Sequence, residues 1–114
     1  MPISIIQEPI EISELAKLAK ERFGDMIKAV VDVEREMMIV GGELHADEEA
    51  LLLEQGSKQS NLWGINLYPD KNGEELIEFD SMINLRPSQG NWSRDVVDPT
   101  VRLKIYEIVG RLII

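Results

Sequence analysis

The sequence predicts an α+β domain, an antiparallel meander sheet of four to six strands packed by an N-terminal and a C-terminal helix. Three observations carry that expectation. From Ile27 to Arg86 the chain runs as short apolar-rich segments broken by turn residues. Apolar residues at helical spacing occur on either side of that stretch. The chain has 114 residues, enough for one core without staples, so residues 1–114 are expected to form a single domain.

Taken in order, Ile3–Ile6 reads as a short edge strand that Pro9 ends. Glu11–Phe23 reads as an amphipathic helix with Ser13 as N-cap. Its buried stripe is Leu15, Leu18, Ala19 and Phe23, and Gly24 is placed to end it. In Ile27–Val33, the residues Ala29, Val31 and Val33 alternate with Lys28, Val30 and Asp32, as on a pleated strand. Met37–Leu44 follows as a strand buried on both faces. Gly41 and Gly42 mark a bulge or a close backbone approach.

His45–Gly56 is ambiguous between two readings. One is a short helix with Asp47 as N-cap and Gly56 just past its end. The other is a hairpin with a turn at Ala46–Glu49 and a strand at Ala50–Glu54. The apolar run is strand-sized and so short a helix is marginal, which favours the hairpin. Asn61–Tyr68 and Leu76–Leu85 form the clearest hairpin, around the turn Pro69–Gly73. In its second arm Ile77, Phe79, Ile83 and Leu85 point one way. Glu78, Asp80 and Asn84 point the other, toward solvent, a ligand or a second subunit. Arg86–Val97 is a polar loop, long for a compact domain. Asp98-Pro99 then starts a helix whose buried stripe is Val101, Ile105, Ile108, Val109 and Leu112. The apolar end Leu112–Ile114 is either packed under the domain or lent to a partner.

Composition removes several classes of function. There are 21 acids against 12 bases, and a net charge of −9 repels phosphate backbones, so general nucleic-acid binding is not expected. Cysteine is absent, which excludes disulfides, thiolate metal sites and a cysteine nucleophile. The first residues lack the basic region of a signal peptide, and no apolar run is long enough to span a bilayer. No membrane association and a cytoplasmic setting are therefore expected. Phosphate-binding glycine loops and a GxSxG elbow are also missing.

Three constellations remain as carriers of chemistry. His45 with Asp47, Glu48 and Glu49 could ligate a divalent cation, although the same residues make an ordinary charged turn. Asp80, Asn84, Arg86, Ser88, Gln89, Asn91, Trp92 and Arg94 supply the parts of a small-anion pocket. Their alternative is a loop that caps its own backbone. Asp32, Glu34 and Glu36 line one side of an extended segment, as a cation site or as a solvated edge.

The segments AVVDVERE (29–36), VGGELHADEEALLLEQGSKQ (40–59), LWGINLYP (62–69) and FDSMINLRPSQGN (79–91) resemble a family of small prokaryotic proteins known only as a domain of unknown function. That resemblance implies a stand-alone domain and assigns no reaction, so it transfers no catalytic residue. The leading expectation is a non-catalytic binding or interaction module that forms a homo-oligomer and uses no cofactor. The alternatives are a small-anion or nucleotide-binding enzyme using Asp80–Arg94, and a divalent-metal-dependent hydrolase around His45.

Overall fold

The computed structural model describes residues 3–114. Five strands and three α-helices occur among them: β1 Ser4–Ile6, α1 Ile12–Arg22, β2 Ile27–Asp32, β3 Met37–Val40, α2 His45–Glu54, β4 Leu62–Leu67, β5 Ile77–Glu78 and α3 Pro99–Leu112. The strands form one antiparallel sheet in the order β1-β3-β2-β4-β5. Two hairpins, β2–β3 and β4–β5, therefore lie side by side, and α2 connects them. The first hairpin turns through Val33–Glu36. Asp32 holds that turn, accepting from the backbone N–H groups of Glu34 at 3.0 Å and Arg35 at 2.9 Å. Glu36 sits there at φ 54, in the left-handed region.

Period-two alternation serves both sheet faces. Ala29, Val31, Met38, Val40 and Ile65 point to one side. There they meet Leu15 and Ala19 of α1 and Ile105, Ile108, Val109 and Leu112 of α3. Val30, Met37, Ile39 and Leu62 point to the other side, where they meet Leu52 of α2. The expected α3 stripe and its start are both present. Asp98 accepts from Thr100 N–H at 2.8 Å, and Pro99 is the first helical residue. Gly24 follows α1 at φ 94, its N–H donating to Ala19 O at 2.8 Å. The apolar chain end packs into the domain through a parallel bridge of Ile113 with Ile10, while Ile114 is 62% exposed.

Several local expectations are corrected. The segment His45–Gly56 is not a hairpin; it holds the helix His45–Glu54. Fully burying Leu52 is worth roughly 1.5–3 kcal/mol, which decides the conformation of a segment marginal by itself. Its N-cap position is Leu44, not Asp47, and no side chain caps it. Likewise α1 begins after Glu11, with no side-chain cap from Ser13. The strand expected over Leu76–Leu85 is only Ile77–Glu78. Beyond it the side chain of Asn84 replaces the next rung of the ladder. Its Oδ1 accepts from Gly64 N–H at 2.8 Å and its Nδ2 donates to Gly64 O at 2.9 Å. The sheet face expected to be open is covered by α2 and by the segment after β5, so Asn66 and Asn84 are buried. Gly64 permits this cover, because a Cβ there would lie 2.6 Å from Ser81 Oγ.

Candidate functional site

The loop after β5 closes on its own backbone around three buried side chains. Arg86 donates through Nε to Ile83 O at 2.9 Å, and through its terminal nitrogens to Gln59 O at 2.7 Å and to Leu62 O. Its guanidinium lies 4.6 Å from the Trp63 ring centre and 3.8 Å from the Glu49 carboxylate. Burial pulls its pKa below the usual arginine value, with Glu49 opposing. Asn91 donates to Asn84 O at 2.6 Å and Asp95 O at 2.7 Å, and accepts from Val97 N–H at 3.0 Å. Asn84 adds a bond to Arg94 O at 3.0 Å. The donors of Arg86, Asn84 and Asn91 thus serve carbonyls of the chain. Ser88 is exposed. Trp92 is 73% exposed.

Of the remaining three members of that set, Gln89 accepts from Arg86 at 3.2 Å and donates to Ser60 O at 3.1 Å, while Asp80 and Arg94 pair at 2.6 Å on the surface. Arg94 also lines a cavity of about 170 Å³ together with Lys28, Leu44, His45, Ser81 and Met82. The structure therefore brings His45 to Arg94, two residues that sequence reasoning placed in separate constellations. Lys28 and Ser81 are the members it missed. Lys28 carried one signal, a lone cation within the apolar run Ile27–Val31. Its ammonium lies 5.5 Å from the Phe23 ring centre.

His45 is 7% exposed and its Nε2 lies 2.8 Å from Ile65 O. A carbonyl only accepts, so Nε2 carries the proton and Nδ1 keeps its lone pair. Burial holds the imidazole pKa below its usual value, and the bond to Ile65 opposes this. Lys28 lowers it further, whereas Asp80 and the neighbouring Asn66 raise it. Asn66 donates to Glu78 at 2.9 Å, but its buried Oδ1 has no partner.

The acids have local tasks. Asp32 is fully buried and also accepts from Ser57 Oγ at 2.7 Å. Glu34 takes Asn61 at 2.7 Å, and Glu36 pairs with Lys104 at 2.9 Å and Arg111 at 3.4 Å. Glu48 is fully buried at the first turn of α2. Its Oε2 accepts from Gly42 N–H at 3.0 Å, while Oε1 is without a partner. Burial pushes its pKa up to about 9, against the pull of the Gly42 bond. Gly42 provides the close approach expected of the glycine pair, since a Cβ there would lie 2.7 Å from Glu48 Cγ. Asp47 is exposed. No group of three or more His, Asp or Glu side chains that could hold a metal ion occurs among the described residues. No helix among them is long and apolar enough to cross a membrane.

The family model described as "Protein of unknown function (DUF5674)" matches residues 4–112. The chain belongs to that family. No curated protein and no solved structure matches it. For this DUF5674 domain, function is read from the surfaces and cavities just described.

Proposed function

We propose that the protein is a non-catalytic, cytoplasmic interaction module that self-associates along the outer edge of β1. One observation supports this reading above others. β1 is the last strand of its sheet, and no described strand pairs with its outer side. Such an edge offers a row of backbone donors and acceptors to another chain. Beside it lies a cleft of about 450 Å³ whose lining includes Ile5, Ile6, Pro9, Ile10 and Leu18. Ile114 extends the apolar surface, because its N–H donates to Ile10 O at 2.9 Å.

A second copy is the occupant that fits. An antiparallel edge is complementary to itself across a two-fold axis. A register centred on Ile5 sets Ser4 against Ile6 of the other copy and leaves the two Glu8 side chains at opposite ends. A three-residue edge with one cleft buries less than the roughly 1,600 Å² of a standard interface, so the association is concentration-dependent.

Light scattering during size exclusion tests this on the full chain. The mass is expected to rise from 12.9 kDa toward twice that value as concentration increases toward about 1 mM. Ile5→Lys, which puts a charge on the edge, is expected to return the protein to monomer. A monomer throughout that range would end the proposal.

A further inference from the structure

We propose that the cavity between β2, the first turn of α2 and the segment Ser81–Ile83 binds a short-chain carboxylate. The site lies on the sheet face opposite α1 and α3 and goes beyond the self-association reading. Its charge comes from Lys28, which makes no ion pair among the described residues, whereas Arg94 is already matched by Asp80 at 2.6 Å. The cavity also borders the start of α2, where no side chain caps the first N–H groups of the helix. That is the positive end of the helix dipole.

A second observation is independent of the helix end. His45 lines the same cavity, and Asn66, its polar neighbour, has a buried Oδ1 without a donor. An imidazolium would supply that donor, and a carboxylate in the cavity is the counter-charge an imidazolium lacks beside Lys28. Of the acids near the ring, Asp80 is held by Arg94, and Glu78 by Asn66 and Tyr68. Asp47 and Glu48 lie on the same helix as His45, Asp47 exposed and Glu48 turned to Gly42.

Size and lining select the ligand class. A volume of about 170 Å³ holds roughly five or six water molecules and is too small for a nucleotide. Leu44, Ala46, Met82 and Ile83 form an apolar wall, and Leu44 and Met82 are 56% and 62% exposed. A carboxylate head at Lys28 with a tail of about three carbons along that wall satisfies both halves.

A heteronuclear NMR titration of the full chain with butyrate tests the proposal, with inorganic phosphate and butanol as separate arms. Butyrate is expected to give saturable shifts at Lys28, His45, Ala46 and Ser81, with a Kd of the order of a millimolar. Lys28→Met is expected to weaken binding about tenfold or more by removing the cation. Met82→Asp, at an exposed rim position, is expected to do the same by adding a like charge, and it keeps the test open if Lys28→Met fails to fold. Shifts that do not saturate or lie elsewhere would overturn the site. So would unchanged affinity in both variants. Phosphate bound in preference to butyrate would overturn the ligand class, and equal binding of butanol would overturn the role of charge.

Discussion

Glu48 is the residue whose environment is most at odds with its chemistry. In the unfolded chain its carboxyl ionises near 4.5, and in the fold it keeps its proton to about 9. Between those values the folded state binds the extra proton, so this contribution is whole below the lower value and is lost as pH rises through the window. Oε2 accepts from Gly42, so the retained proton belongs on Oε1. Glu48→Gln keeps the acceptor and removes the ionisation. It is expected to melt higher than the native chain at pH 8, by on the order of 1–3 kcal/mol, with little difference at pH 5. Thermal melts of both proteins at the two pH values give the answer, and a pH-independent difference would refute the assignment. Nothing in ELHADEE marked Glu48 as the inward-facing acid, because its burial depends on the glycine at position 42 and on helical phase. His45, at the same helix start, was legible as a candidate ligand, but its bond to Ile65 was not. The same holds for Arg86, whose acceptors come from positions 59, 62 and 83. A sequence gives the donors of such a residue and hides its acceptors.

At the scale of elements, Asn84 governs where the second hairpin ends. Its amide takes both polar groups of Gly64 at the point where β5 has already departed. Asn84→Ala leaves a buried N–H and a buried C=O on β4 without partners. The expected loss is about 2–4 kcal/mol in denaturant unfolding. Hydrogen exchange at the Gly64 amide should speed up more than at its neighbours in β4, and unchanged protection there would show that Asn84 is not the rung described. This substitution of side chain for backbone explains why the alternation in Leu76–Leu85 misled. Apolar residues still alternate with polar ones, yet Phe79 joins the core beside α3 while Ile83 packs against the opposite face. Period-two patterning records which residues are buried and not whether the backbone pairs. Helix α3 was legible because its signals are local: an Asp-Pro start and a stripe along one face. For α2 the deciding contact, Leu52 against β2 and β3, is tertiary.

The whole molecule is a sheet covered on both faces, with β2 at its centre between β3 and β4. Its α+β class and its two flanking helices were readable, since each rests on patterns within about twenty residues. The strand order was not, because pairing β4 to β2 is a long-range choice. That order has a kinetic consequence. β2 and β3 meet across a four-residue turn, whereas β4 reaches β2 only after some thirty intervening residues have been ordered, and the chain end meets Ile10 last in sequence. Loop-closure entropy therefore favours a transition state built on the first hairpin, with the terminal segments joining downhill. Val31→Ala is expected to slow refolding, while Ile113→Ala is expected chiefly to accelerate unfolding. Stopped-flow chevrons of the two variants distinguish this route from one that begins at the ends. The last segments to arrive are also the first to leave, and the lifetime of the native state is set at the seam where Ile10 meets Ile113.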